Sequence, residues 1–208
     1  MRIPIAREGW PLIFPPAAAA CILAAMGWWG AAAVLALLAL AFVGFFRDPE
    51  RTPPAVPGAL LAPADGKVMG IADVEDPFLG PAVRVSIFLS PLDVHVNRAP
   101  AAGVVRDVEH VPGRFLAAYR HEASEQNERC TLTLDGDTGR VGVRQIAGVL
   151  ARRIVCRARP GDTLGAGERY GLIRFGSRTD LLMPRGTEIR VRIGDRVAGG
   201  QSVMGIVR

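Results

Sequence analysis

Two stretches near the end of the chain, RPGDTLGAGERYGLIR (residues 159–174) and RIGDRVAGGQSVMGIVR (residues 192–208), repeat one another. Both contain the pattern Gly-Asp-x-(Leu/Val)-x-x-Gly, and the two copies are offset by 33 residues. The repeat places Gly161 in register with Gly194, and Gly167 with Gly200. Glycine adopts the positive φ of a tight turn without a steric penalty. The repeat therefore predicts two copies of one turn-and-strand unit.

Short apolar or alternating runs, separated by turn residues, fill the chain around this repeat, and many short strands at such spacing are typical of a β-sandwich or barrel. The repeat resembles the barrel-sandwich hybrid of biotinyl and lipoyl domains, although the C-terminal region has no Lys to carry such a cofactor. We predict a mainly β, barrel-sandwich-hybrid-like domain with one helical run at 115–128. The predicted strands are Val83–Leu89, Gly103–Val108, Thr131–Leu134, Val141–Ile146, Ile154–Ala158, Gly171–Phe175, Glu188–Ile193 and Ser202–Val207.

The N-terminal part of the chain has a different character, because no charged residue occurs from Pro11 to Phe46. A single helix needs about 20 apolar residues to cross a bilayer, so this run is long for one upright span. Pro15-Pro16 and the Gly27-Trp28-Trp29-Gly30 segment are natural break points. We therefore predict an N-terminal hydrophobic helical membrane anchor, built as a helical hairpin or a re-entrant pair. A cleaved signal peptide fits poorly, because its apolar region is normally about 7–15 residues.

Charge and cysteine content indicate the compartment and the partners. Arginines flank the anchor on both sides, which suits a hairpin with both ends in the cytoplasm. The three cysteines are widely spaced and lack a metal-binding pattern, which favours a reducing compartment and no metal. The net charge of +5 suits an anionic membrane leaflet. The basic residues are scattered and belong to no nucleic-acid-binding motif, so we expect no nucleic acid partner.

The predicted organisation has three parts: a membrane anchor over residues 1–46, a proline-rich linker over residues 47–58, and a β-rich catalytic domain over residues 59–208. Polar groups stand among apolar residues in three stretches of this domain, namely APADGKV, IFLSPLDVHVNRAP and RFGSRTDLLMP. A serine nucleophile needs a base, and a neutral histidine oriented by a carboxylate serves best. The candidates are Ser177, His95 and Asp65. A structural hydrogen bond for His95 and a turn for Asp65 remain alternatives.

Five blocks, FFRDPERTPP, APADGKV, FLSPLDVHVNRAP, ASEQNER and RFGSRTDLLMP, together resemble phosphatidylserine decarboxylase in its short bacterial form. The resemblance covers essentially residues 46–208. It implies that the chain cleaves itself between Gly176 and Ser177 into a β chain (1–176) and an α chain (177–208), which stay associated. Ser177 would become a pyruvoyl cofactor that forms a Schiff base with the substrate.

The resemblance also implies the reaction and its place. Phosphatidylserine would lose CO2 to give phosphatidylethanolamine in phospholipid biosynthesis, at the inner membrane of a bacterium with the catalytic domain on the cytoplasmic side. Decarboxylation of an amino acid requires an electron sink. Pyridoxal phosphate would need a lysine, and Lys67, the single lysine of the chain, stands in a predicted turn. The pyruvoyl group that the resemblance implies supplies this electron sink, and we expect no pyridoxal phosphate.

Residue roles follow from the same resemblance. His95 would act as general base or acid, with Asp65 as its orienting carboxylate. Asn97 and Arg98 would contact the lipid phosphate, and a structural salt bridge is the alternative for Arg98. The longer form of the family has a second histidine where this chain has Arg98, so His95 would serve both self-cleavage and decarboxylation, or one step would use another group. Thr179, just past the cut, would position the new terminus or end a turn.

Two other interpretations use the same residues. A membrane-anchored serine hydrolase or peptidase would combine Ser177 with His95 or Lys67 and would leave the chain intact. A membrane-anchored adaptor with a hybrid motif would have no catalytic centre. The sequence leaves the oligomeric state open, a homo-oligomer included.

Overall fold

The computed structural model describes residues 3–116, 123–148, 153–174 and 177–207. The chain divides into two compact units, Met1–Glu50 and Arg51–Arg208. The first unit is helical and the second is built almost wholly from strands. The prediction of a mainly β fold with a helical N-terminal segment is therefore confirmed.

The N-terminal unit is a helical hairpin. A short 3-10 turn (Arg7–Gly9) leads into helix α1 (Trp10–Ala25), and helix α2 (Trp29–Phe45) follows after a tight turn. Gly27, with a φ of 81°, makes that turn, so the break predicted there is confirmed. The break predicted at Pro15-Pro16 is wrong, because α1 continues through both prolines. The fixed φ of proline is close to the helical value, although each of the two residues lacks the N–H of an interior helical hydrogen bond.

Both helices carry large apolar side chains on their surface. The segment Arg7–Ala25 is long and apolar enough, by length and composition, to cross a membrane, and α2 is apolar throughout its 17 residues. The side chains that are more than half exposed include Phe14, Ile22, Trp29, Val34 and Leu37. An apolar surface of this kind marks a membrane or protein contact, and here it suggests membrane association.

The second unit contains fourteen strands and one short helix among the residues that the structure describes. Every strand ladder in it is antiparallel. The short helix is α3 (Ala123–Gln126). The strands are β1 (Ala59–Leu61), β2 (Gly66–Asp76), β3 (Gly80–Leu89), β4 (Val96–Arg98), β5 (Gly103–Val111), β6 (Arg129–Gly136), β7 (Gly139–Ile146), β8 (Ile154–Cys156), β9 (Thr163–Leu164), β10 (Arg169–Ile173), β11 (Ser177–Pro184), β12 (Glu188–Ile189), β13 (Arg196–Val197) and β14 (Val203–Ile206).

The strands form three sheets. The largest is a curled sheet in the order β13-β2-β3-β11-β7-β6-β5-β9, and two three-stranded sheets have the orders β4-β10-β8 and β1-β14-β12. The eight predicted strands are all present, with shifted ends. Of the predicted helix at 115–128 only α3 is seen, and residues 117–122 lie outside the described residues. The core that the sheets enclose includes Leu60, Val85, Ile87, Leu132, Val143, Leu181 and Met204.

The two repeat copies adopt the same conformation. The φ angles of Gly161 and Gly194 are 93° and 102°, and those of Gly167 and Gly200 are 73° and 75°. The two copies also make matching hydrogen bonds to the rest of the domain. Gly161 N–H donates to the carbonyl of Val105, as Gly194 N–H does to that of Val68, both at 2.8 Å. The predicted internal repeat is therefore confirmed.

A second repeat, which the sequence interpretation missed, supplies the acceptors of these bonds. APADGKV (62–68) and APAAGVV (99–105) are identical at five of seven positions. Gly167 N–H donates to Ala99 O at 2.8 Å, and Gly200 N–H donates to Ala62 O at 2.7 Å. The domain thus contains two interlocked copies of one unit, as in the hybrid fold that the sequence resembles.

Candidate active site

Ser177 and His95 stand at the ends of two connections, one from β3 to β4 and one from β10 to β11, that link the large sheet to the β4-β10-β8 sheet. At one end Ser177 of β11 is directly opposite Leu89 of β3. At the other, Ile173 N–H donates to the carbonyl of His95 at 3.3 Å. The segment from Leu89 to His95 and the segment from Ile173 to Ser177 therefore have neighbouring ends. Leu89 is next to Ser177, and His95 is next to Ile173. The predicted cleavage partner, Gly176, lies outside the described residues.

Ser177 is fully buried, and its Oγ has no hydrogen-bond partner among the residues that the structure describes. Leaving a buried hydroxyl without a partner costs about 1–3 kcal/mol. Such an uncompensated group in a native fold requires an explanation, and a chemical role is a common one. Ser177 is the first residue of β11, a strand that is buried along nearly its whole length.

His95 is also fully buried, and its ring is held by the main chain. Nδ1 lies 2.9 Å from the carbonyl oxygen of Asp93. A carbonyl oxygen only accepts, so Nδ1 carries the hydrogen and, in the neutral ring, Nε2 bears the lone pair. This tautomer is the one that a general base needs.

The turn that presents the Asp93 carbonyl is fixed by the Asp93 side chain. Its Oδ2 accepts the N–H of Ser90, and its Oδ1 accepts Nη1 of Arg196, each at 2.8 Å. Burial alone would raise the pKa of Asp93, but the hydrogen bonds from Ser90 and the charge of Arg196 outweigh it and hold the pKa below its usual range. The carboxylate therefore stays ionised and locks the turn beside His95.

Asp65 is engaged elsewhere. Both of its oxygens are bound by the Arg51 guanidinium, with Arg51 Nη2 at 2.7 Å from Oδ2, and Oδ1 also accepts Gly199 N–H at 2.8 Å. Arg51 donates in turn to the carbonyl of Gly199 at 2.7 Å. The structure thus pairs Asp65 with Arg51, and the main chain at Asp93 orients His95. Sequence spacing gave no sign of this, because Arg51 lies in the predicted linker.

Asn97 lies close to strand β11. Its side chain is fully buried, its Nδ2 donates to Thr179 Oγ1 at 3.3 Å, and its Oδ1 accepts Gln145 Nε2 at 2.8 Å. Arg98 is equally buried and points into the repeat, where Nη1 donates to the carbonyl of Gly167 at 3.1 Å. Both side chains are therefore held inside the domain, and their contact with a lipid phosphate stays a prediction.

A buried ion pair holds β11 on the opposite face of the sheet. Arg178 binds Asp180 with two hydrogen bonds, Nε to Oδ1 at 2.6 Å and Nη2 to Oδ2 at 3.0 Å. Arg178 Nη2 also donates to Ser86 Oγ at 2.8 Å. The pair fixes the residue that follows Ser177. The sequence offered only a weak signal for it, an Arg and an Asp two apart inside an apolar strand.

Lys67 is not placed to serve Ser177. It is directly opposite Phe88 on β3, which in turn is directly opposite Arg178. Residues directly opposite in a sheet share a face, and successive residues alternate. Lys67 and Ser177 therefore lie on opposite faces. Within the described part of the chain no group of three or more His, Cys, Asp or Glu side chains could hold a metal ion.

The comparisons with known proteins agree on one family. A family model described as phosphatidylserine decarboxylase matches residues 38–205. Three relatives are each called phosphatidylserine decarboxylase proenzyme. That of Symbiobacterium thermophilum is 53% identical over 99% of this chain and 97% of its own. That of Salinibacter ruber is 50% identical over 85% and 80%. That of Nitrosomonas europaea is 46% identical over 96% and 94%.

Proposed function

The chain belongs to the phosphatidylserine decarboxylase family, and on that premise we propose that it cleaves itself at Gly176–Ser177 and converts Ser177 into a pyruvoyl group. It is a carboxy-lyase that removes CO2 from phosphatidylserine to give phosphatidylethanolamine. The observation that supports the proposal is the buried Ser177 Oγ, which has no hydrogen-bond partner among the described residues. Ser177 begins β11 and lies opposite Leu89, where the segment that leads to His95 starts. A pyruvoyl group at this position fits the residues present.

Bond cleavage uses groups of the chain alone, and one water molecule enters in the last step. The Ser177 hydroxyl gives its proton to Nε2 of His95, and Oγ attacks the carbonyl carbon of Gly176. The Gly176–Ser177 C–N bond breaks, its nitrogen takes a proton, and an ester joins the two residues. Removal of the Ser177 Cα proton then breaks the Cβ–Oγ bond by β-elimination. Gly176 leaves as a carboxylate, and residue 177 becomes dehydroalanine. Water then hydrolyses the dehydroalanine: its oxygen takes the place of the nitrogen, ammonia leaves, and residue 177 becomes a pyruvoyl group.

The pyruvoyl group supplies a carbonyl that holds the substrate amine and accepts the electron pair left when CO2 departs. The role of the protein is then to bind, to orient and to move protons. His95, held in one tautomer by Asp93, is the proposed carrier of protons in both phases. Asp65 as an orienting carboxylate stays a prediction, and its contacts favour a supporting role through Arg51 and Gly199.

The sheet explains how the two chains would stay together after cleavage. β11 of the α chain lies between β3 and β7 of the β chain, and it pairs with β3 along its whole length. β14 likewise pairs with β1, and β13 with β2. Separating the chains would therefore expose a central strand of the largest sheet. The apolar helices of the N-terminal unit support membrane association. The arginines that flank them favour the cytoplasmic face of a bacterial inner membrane, where phosphatidylserine is the partner.

Intact mass spectrometry of the wild type, a Ser177→Ala variant and a Ser124→Ala control tests the proposal. We expect two chains from the wild type and the control, with a pyruvoyl group at the start of the smaller chain, and one uncut chain from Ser177→Ala. A single wild-type chain with an unmodified serine would contradict self-cleavage and would favour a serine hydrolase. The lipid product is measured separately, by release of CO2 from phosphatidylserine in mixed micelles.

A further inference from the structure

A buried polar layer lies between the large sheet and the β4-β10-β8 sheet. Strand register places Gln145 of β7 directly opposite Thr179 of β11 in the first sheet, and Asn97 opposite Gly171 in the second. The two sheets meet through these residues, because Asn97 bridges Gln145 and Thr179. Gln145, Asn97 and Thr179 are each at least 99% buried. The layer is therefore shielded from bulk water.

The hydrogen bonds of this layer run in one direction. Gln145 Nε2 donates to Asn97 Oδ1, which leaves Asn97 Nδ2 to donate to Thr179 Oγ1. Asn97 Nδ2 also lies 3.5 Å from the carbonyl oxygen of Pro63, which only accepts, so the same amide orientation is required there. Thr179 Oγ1 is thereby an acceptor from Asn97, and its own proton must be donated elsewhere. Among the described residues no acceptor takes it.

The backbone beside Gln145 is shaped to admit its side chain. A Cβ atom at Gly171 would lie 3.0 Å from Gln145 Nε2 and 2.4 Å from the carbonyl oxygen of Val155. Glycine at this place therefore lets the Gln145 amide reach Asn97. Gln145 Oε1 is buried and has no hydrogen-bond partner among the described residues.

We propose that Gln145 is a positioning residue that fixes Thr179 as a hydrogen-bond donor to the reacting group at residue 177. Ser177 and Thr179 are two residues apart on one strand, so their side chains share a face and their Cα atoms are about 6.6 Å apart. The Thr179 hydroxyl is therefore a neighbour of the reacting group on this face of the sheet. The inference rests on the proposed function and adds Gln145, through Asn97, to the residues that serve it.

A Gln145→Glu variant tests the direction of the chain of hydrogen bonds. Near neutral pH the introduced carboxylate only accepts, so the Asn97 amide turns over, Asn97 Oδ1 faces Thr179, and the Thr179 proton is drawn away from residue 177. In acid the introduced carboxyl is neutral and donates again. Burial raises the pKa of such a carboxyl, so recovery begins at mildly acidic pH. Relative to the wild type at the same pH, we expect the rate of self-cleavage to fall at least about tenfold at pH 7.5 and to approach the wild-type rate as the pH falls.

The readout is the fraction of uncut precursor after cell-free synthesis, followed by intact mass at several pH values. Gln201→Glu, on an exposed turn, is the matched control and should keep the wild-type rate at every pH. A Gln145→Glu rate within twofold of the wild type at pH 7.5 would overturn the proposal. So would a tenfold loss that does not depend on pH, because that pattern indicates a packing defect.

Thr179 variants keep the proposal testable if Gln145→Glu does not fold. Thr179→Ser retains the hydroxyl and should keep self-cleavage within about threefold, whereas the isosteric Thr179→Val should lose at least tenfold. Equal rates in the two variants would overturn the role of the hydroxyl. The proposed function fails separately, because it requires two chains from the wild type itself. An uncut wild type contradicts self-cleavage, while a processed wild type with normal Gln145 and Thr179 variants contradicts only this inference.

Discussion

Nδ1 of His95 lies 2.9 Å from the carbonyl oxygen of Asp93, so the main chain two residues earlier fixes the histidine tautomer. Histidine bases are commonly oriented by a carboxylate. Here a carboxylate acts one step further away, because the Asp93 side chain holds the turn whose carbonyl contacts the ring. The proton-accepting Nε2 thus depends on a charged group that never touches it.

This dependence predicts the pH response of an Asp93→Asn variant. The pKa of Asp93 is lowered in the fold, so its contribution to stability is present above the unfolded pKa and is lost as the pH falls through the folded pKa. We expect Asp93→Asn to lower the free energy of unfolding at pH 7 by about 1 kcal/mol, a modest value because solvent screens the exposed Arg196. The difference from the parent should vanish in acid.

Urea unfolding of both proteins in the uncut Ser177→Ala background, at pH 7 and at pH 3, measures this effect. The intact chain avoids the complication of a two-chain unfolding equilibrium. Asp73→Asn, at an exposed position of β2, is the control and should show no difference at either pH. An Asp93→Asn effect of equal size at both pH values would contradict the role of the ionised carboxylate.

Much of the fold could be predicted from the sequence, because turn residues and the alternation of apolar and polar residues are local signals. Gly161 and Gly194 mark turns that need a positive φ, and alternating runs marked strands such as β7. β2 was missed because Asp73 and Glu75 interrupt its apolar run on the solvent side. The APAAGVV copy was missed as well, although comparing it with APADGKV would have revealed the second repeat.

The site was only partly readable, because it depends on contacts between distant segments. Ser177 and His95 were found from their chemistry and from the family resemblance. Gln145 was not, since a single glutamine in a strand is typical of a solvent-facing position, and only the packing of two sheets buries it. The pairing of Asp65 with Arg51 was likewise hidden, because the two residues are 14 positions apart and a proline-rich segment lies between them.

The Arg51–Asp65 pair predicts a stability effect shared by both partners. Arg51→Gln and Asp65→Asn should each lower the free energy of unfolding by about 2 kcal/mol, because each leaves a partly buried charge with a lost partner. The double variant should cost less than the sum of the two. A double-mutant cycle in the Ser177→Ala background measures this coupling.

Self-cleavage of the same variants distinguishes the two roles of Asp65. If Asp65 only holds Arg51 and Gly199 together, the Arg51→Gln and Asp65→Asn variants should cleave themselves at similar rates. If Asp65→Asn abolishes processing while Arg51→Gln does not, Asp65 has the orienting role that the family resemblance implies. Intact mass after cell-free synthesis gives both rates.

The Arg178–Asp180 ion pair, on the face of β11 opposite to Ser177, predicts a larger loss of stability. Asp180→Asn leaves the Arg178 guanidinium, only 4% exposed, without its counter-charge. We expect the free energy of unfolding to fall by about 3–5 kcal/mol. Replacing both partners with apolar residues, Arg178→Met with Asp180→Leu, should restore much of that loss, because no charge then remains buried. Urea unfolding in the Ser177→Ala background checks both, and a double variant as unstable as Asp180→Asn would contradict this account.

Cys130 and Cys156 predict a difference in thiol reactivity. A hydrogen bond from Cys130 lowers the pKa of Cys156, and the same contact, together with burial, raises the pKa of Cys130. Thiolates are the reactive form, so iodoacetamide should modify Cys156 first and at a lower pH than an ordinary thiol. A Cys21→Ser background removes the exposed cysteine of α1. Peptide mass spectrometry across a pH series then gives the midpoint of Cys156 labelling. In Cys130→Ala that midpoint should rise, since the donor is gone, and an unchanged midpoint or earlier labelling of Cys130 would refute the contact.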